Sequence, residues 1–181
     1  MQKTAPLVTG AIALALAGVA LAGVAAAGSA SSVHTLRATL ATAAETPRPK
    51  APGAAKGVFT ATVADTGSTR TLKWKLTFSG LSGKAVGAHV HKGKAGVAGA
   101  VLVPLCGPCA SGQTGTVKIS ASAADALEHG LAYVNVHTAK NASGEIRGQV
   151  TLTGASGGAP ATGSTSPGTT VPDTGGGGYG Y

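Results

Sequence analysis

The clearest pattern along the chain is a strict alternation of apolar and polar positions. Leu72, Trp74, Leu76 and Phe78 alternate with Lys73, Lys75 and Thr77. In an extended strand, successive side chains point to opposite faces, so this run predicts a half-buried antiparallel strand with Trp74 on the core side. Leu36, Ala38 and Leu40 alternate with Thr35, Arg37 and Thr39 in the same way. Val58–Val63 is β-branched and aromatic, and Val86–His91, Val101–Val103, Val117–Ser120, Tyr133–Thr138 and Ile146–Leu152 bring the strand candidates to about eight. Turn-forming runs separate several of them: Asp65-Thr66-Gly67-Ser68, Ser79-Gly80-Leu81-Ser82-Gly83 and Asn141-Ala142-Ser143-Gly144. Only Ala121–His129 has a helical pattern. Ser122 and Asp125 stand at capping-box spacing there, and Gly130 suits the position just past its end. Many short strands with one helical turn predict an all-β fold, an antiparallel, Greek-key-like β-sandwich or barrel.

Composition sets the limits of this domain. Residues 7–27 are Leu, Val, Ala, Ile and Gly with one Thr; Lys3 precedes them, and Ala25-Ala26-Ala27 forms a small-residue cleavage site. Residues 1–27 therefore read as a secretory signal peptide, although the run is also long enough to be a membrane anchor. Residues 154–181 are Gly, Ser, Thr, Pro and Ala with few large apolar groups. Such a stretch buries too little surface to offset its ordering entropy and reads as a disordered tail. The folded body is residues 28–153, with 41–57 as an internal loop. The expected protein is secreted to the extracellular space or cell envelope, is monomeric, and stays off the membrane once the signal is cleaved.

Across 181 residues the net charge is +8, with 11% charged and 3% aromatic residues. A long coiled coil is excluded by the absence of charged heptads. The lysines are spread out, and the single tryptophan faces the core. Nucleic-acid binding, which needs aromatic groups among the cations, is not expected. The excess suits an unidentified extracellular or envelope ligand of acidic character.

Three residue groups carry candidate chemistry. His89 and His91 are two apart on a strand, so both rings emerge on one face, and His137 ends another strand. Three imidazoles suit copper or zinc and leave a coordination position open. The alternative is structural, with the rings bonded to loop carbonyls and to Glu145. Glu145 and Arg147 share a face: they read either as a salt bridge or as a second layer, with Glu145 orienting a ligand histidine. Cys106-Gly107-Pro108-Cys109 spells the tetrapeptide of thioredoxins. It lies in a loop rather than at a helix N-terminus, and in an exported chain it reads as a local Cys106–Cys109 disulfide. No nucleophile–base relay or phosphate loop is present, so the residues point away from an enzyme.

Four segments in order resemble the CHRD domain family, first described in chordin. They are Phe78-Ser79-Gly80-Leu81-Ser82-Gly83, Ala88-His89-Val90-His91-Lys92-Gly93, Tyr133-Val134-Asn135-Val136-His137-Thr138 and Gly144-Glu145-Ile146-Arg147-Gly148-Gln149. Leu36–Leu40, with Glu45 and Pro47, is similar to that family's opening strand. The resemblance covers about residues 33–152 and implies a small extracellular β-sandwich or barrel acting as a binding module. A more distant similarity is to copper-zinc superoxide dismutase, in which a Gly-x-His-x-His strand carries two copper ligands, as in Gly87–His91. It implies copper as the candidate cofactor and a copper-dependent redox protein as the alternative function. The zinc ligands of that enzyme have no counterpart here.

Overall fold

The computed structural model describes residues 31–49 and 54–157. The proposed signal peptide and most of the proposed tail lie outside the described residues. Nine strands and one helix follow in the order β1 (Ser32–Ala41), β2 (Lys56–Thr66), β3 (Thr69–Ser79), β4 (Ala85–Lys92), β5 (Val101–Cys106), β6 (Gln113–Ile119), α1 (Ala121–Glu128), β7 (Ala132–Thr138), β8 (Asn141–Gln149) and β9 (Thr151–Gly157), with a single 3₁₀ turn at Thr42–Ala44. All are joined in one antiparallel sheet of order β5-β4-β7-β8-β1-β2-β3-β6, with β9 also pairing β1. The sheet curls into a nearly closed barrel.

Alternation decides which side chains enter the barrel. Leu36, Leu40, Phe59, Leu72, Leu76 and Ile146 are fully buried, and Trp74 is 6% exposed. Lys73 and Lys75, between them in the sequence, are exposed. The indole of Trp74 fits because its cross-strand partner on β6 is Gly115: a Cβ there would lie 2.5 Å from the ring. Helix α1 adds Ala123, Ala124, Ala126 and Leu127 to the core.

The two ends of the sheet, β5 and β6, are consecutive in sequence, and the segment between them straps the seam. The Cys109 amide bonds the Ala85 carbonyl at the start of β4, and the Gly112 amide bonds Leu76 on β3. Ser111 Oγ bonds both backbone groups of Phe78. The expected Cys106–Cys109 disulfide lies in this strap.

Three details differ from the sequence reading. The candidate strand Ile146–Leu152 is two strands, β8 and β9, broken at Val150. Strand β9 runs to Gly157, four residues into the segment assigned to the tail. Its side chains are all exposed, so composition gives no sign of it; backbone pairing with Ser32–Arg37 holds it instead. Finally, the helix cap is Ser120, whose side chain accepts from the Ala123 amide, rather than Ser122. Gly130, at φ +68°, ends the helix as expected.

Candidate metal centre

Strands β4 and β7 are neighbours, and their register assembles the candidate centre. Gly87, His89 and His91 face His137, Asn135 and Tyr133 respectively. The five side chains among them point away from the barrel interior, because Ala88 and Val90 on β4, with Val134 and Val136 on β7, fill it. Gly87 stands opposite His137, and a Cβ there would make only ordinary van der Waals contact with the His89 ring.

One nitrogen from each of His89, His91 and His137 lies within 4.8 Å of the other two. The His89–His137 ring pair is closest, with Nδ1 and Nε2 3.1 Å apart. The outer nitrogens are fixed by carbonyls. His91 Nδ1 donates to Gly99 O at 2.9 Å, and His137 Nδ1 donates to Ala142 O at 3.0 Å. A carbonyl only accepts, so both rings carry a proton on Nδ1, and Nε2 is the nitrogen each turns toward the cluster; that of His137 meets His89 Nδ1. His91 Nε2 is buried without a partner. Burial pushes His89 below the usual imidazole range, and the nearby His91 adds to this. Burial likewise lowers His137, with the Ala142 carbonyl opposing and the other two rings assisting. These rings favour the neutral, lone-pair-bearing form.

The structure separates Glu145 and Arg147 from the roles expected of them. Glu145 orients no histidine. Its carboxylate accepts from the Ser82 amide and hydroxyl, from Thr138 Oγ1 and from Asn141 Nδ2. Burial alone would raise this carboxyl, but these donors outweigh it and hold it below the ordinary range. The orienting acceptors for His91 and His137 are backbone carbonyls, that of Gly99 in the loop before β5 and that of Ala142 at the start of β8. Arg147 forms no salt bridge with Glu145. Its Nη2 donates to the carbonyls of Lys94 and Val97, and the guanidinium lies 3.3 Å over the Tyr133 ring. Asn141, in the sequon Asn141-Ala142-Ser143, is itself buried in the Glu145 network, with no exposed amide to modify.

Tyr133 is the neighbour that the sequence reading missed. Its ring stacks on His91, with centroids 5.0 Å apart and planes 8° apart, and its hydroxyl accepts from the Gly99 amide. Gly99 therefore anchors both rings of the stack. The signal was available: Tyr133, Asn135 and His137 share a strand face. The other two histidines lie apart from the centre: His34 meets Glu128 at 2.7 Å, and His129 ends α1.

The centre's residues lie within a stretch that matches a known family. A family model described as the CHRD domain matches residues 36–150, well over half the sequence. No curated protein and no solved structure matches the chain.

Proposed function

The chain belongs to the CHRD domain family, an extracellular-type binding module, and from that premise we propose that it is an exported copper(II)-binding protein. His89, His91 and His137 are the ligands. The observation that carries this reading is the convergence of three imidazole nitrogens within 4.8 Å, with the outer nitrogens of two rings already committed to carbonyls. His91 Nε2 is buried without a hydrogen-bond partner, and a bound ion would satisfy it. Ligand distances near 2.0 Å require the rings to close in by about 1 Å, within the reach of side-chain rotation. Among divalent ions, an all-imidazole set favours copper. Export is supported by the sequence of residues 1–27 and by the Cys106–Cys109 bond, since such bonds persist in oxidising compartments.

Titration of copper(II) into metal-free, untagged protein tests the site. One equivalent is expected to bind with Kd below about 10 μM. The His89→Ala/His91→Ala double variant is expected to lose that binding. Equal affinity in the double variant would refute the assignment.

A copper-dependent redox role is the second reading, favoured by the open coordination position that three ligands leave. Within the site, Tyr133 and the Gly99 and Ala142 carbonyls fix two of the three rings. Dismutation of superoxide by copper-loaded protein, lost in the double variant, distinguishes redox turnover from binding alone.

A further inference from the structure

On the opposite half of the barrel, the outward face of β1, β2, β3 and β6 carries a second feature that the copper reading does not use. The register aligns its side chains into rows that cross the strands. One row runs Thr62–Lys73–Thr116, and the next Thr60–Lys75–Thr114. In each, a lysine stands between two threonines. Thr35 extends the first row and Arg37 the second. Between the rows lies a groove of about 460 Å³, floored by the backbone of Ala61, Trp74 and Gly115. It spans four strands, about 14 Å at the usual spacing.

The face has one sign of charge. Arg37, Lys73, Lys75 and Lys118 all point outward and are exposed. Of the acidic residues described, Glu45 and Glu145 are buried on the other half of the sheet, Asp125 and Glu128 belong to α1, and Asp65 is bonded to Arg70 at the β2–β3 turn. No aromatic ring lies on the surface of the groove, since Trp74 points inward beneath Gly115. Stacking of bases therefore has no platform here. What the groove offers is a repeating unit of one ammonium between two hydroxyls, in an open track.

We infer that this groove docks a carboxylate-bearing polysaccharide. Such a chain carries one carboxylate among several hydroxyls on each acidic sugar, which complements both the charge and the hydroxyl rows. The inference rests on the exported-module reading for access to such a polymer, and it is independent of the copper ligands.

The full exported chain is tested by calorimetry against polygalacturonate in EDTA, at low and physiological salt. Binding is expected at low salt and is expected to weaken as salt screens the lysines. Lys73→Gln/Lys75→Gln is expected to reduce affinity about tenfold or more, and Thr62→Val/Thr116→Val about threefold. Lys84→Gln/Lys140→Gln removes the same net charge elsewhere and is expected to change nothing. Neutral dextran is expected not to bind. The inference is overturned by absence of binding at low salt, by equal losses in the two lysine pairs, or by binding of dextran. Tighter binding of single-stranded DNA or polyphosphate than of polygalacturonate, at matched charge, overturns it as well. Copper titrations of the same variants keep the two proposals separate: the lysine variants are expected to hold copper normally, and the His89→Ala/His91→Ala protein to hold polygalacturonate normally.

Discussion

The two halves of the barrel wall are built on different rules. In β1, β2, β3 and β6, one face is apolar and buried while the other is polar and open to solvent. Strand β3 shows this plainly: Leu72, Trp74 and Leu76 are buried, and Lys73 and Lys75 are exposed. In β7 and in β8 from Gly144 to Gly148 both faces are covered, and in the neighbouring β4 the outward His89 and His91 are half-buried. Six of the seven residues of β7 are buried, and in β8 Gly144, Glu145, Ile146, Arg147 and Gly148 are buried in succession. The inner face of this half is still apolar. Its outer face is a polar layer of histidine, tyrosine, asparagine, glutamate and arginine, shielded by the segments around Glu45 and Val97. The contrast teaches that a polar residue on the outward face of a strand is not thereby a surface residue. In the covered half most such groups find partners, while a few, His91 Nε2 among them, are left buried without one.

Substitutions that treat equivalent residues in the two halves alike should break the comparison if it is wrong. The largest effect is expected in the shared core. Trp74→Ala removes a buried indole and is expected to cost about 3–5 kcal/mol in denaturant unfolding, whereas Lys75→Ala, one residue along, is expected to cost under about 0.5 kcal/mol. Equal losses would mean that the facing of β3 is misassigned.

The arginines make the sharpest test between the halves. Arg147 is 1% exposed and serves two carbonyls and the Tyr133 ring, whereas Arg37 is exposed on β1. Arg147→Ala is expected to cost about 3 kcal/mol, from lost charged hydrogen bonds and packing, and Arg37→Ala less than about 0.5 kcal/mol. Arg147→Ala should also loosen the Val97 loop and weaken copper binding, because that loop carries Gly99, which anchors His91 and Tyr133.

Two buried carboxyls are expected to respond to pH with opposite sign. Glu145 is held below the ordinary carboxylate range, so its contribution is present above that range and is lost as pH falls through its lowered value. Glu145→Gln is expected to cost about 2 kcal/mol at pH 7, with the deficit shrinking at acid pH. Glu45 is pushed up by burial, with the Thr46 amide, Arg147 and Asn135 opposing. Its stabilisation is greatest below the ordinary carboxyl range and declines as pH rises through its raised value. Glu45→Gln is therefore expected to be neutral or to stabilise by up to about 1 kcal/mol at pH 7. Melting curves of both variants across pH 3–8 check the crossing signs.

The disulfide belongs to neither half; it lies in the strap between the sheet's two edges. A four-residue ring limits its chain-entropy contribution to about 2 kcal/mol, so the Cys106→Ser/Cys109→Ser protein is expected to fold with a modestly lower melting temperature. Copper affinity in that variant is expected to be unchanged.

The sequence by itself determined the all-β class, the position of nearly every strand, the inward placement of Trp74, and the shared face of His89 and His91. It did so because a strand places alternate residues on opposite faces whatever it packs against. Four linked motifs were enough to indicate the family. The short Cys-x-x-Cys loop was likewise legible as a disulfide, its two cysteines being close in any fold. Only the tertiary structure decided what surrounds the histidines. That His137 meets His89 depends on the β4–β7 register, set by residues 48 positions apart in the chain. The removal of Glu145 from the site was equally unreadable: Ser82, 63 residues away, converges on it with Thr138 and Asn141 of the β7–β8 turn. The orienting groups for His91 and His137 are the carbonyls of Gly99 and Ala142, and a backbone carbonyl leaves no mark on the residue type that carries it. For the same reason β9 was invisible beyond Thr153, since ladder hydrogen bonds rather than side chains hold it to β1. Periodicity reports which way a residue points, but the charge and bonding of the group it meets are set by long-range pairing.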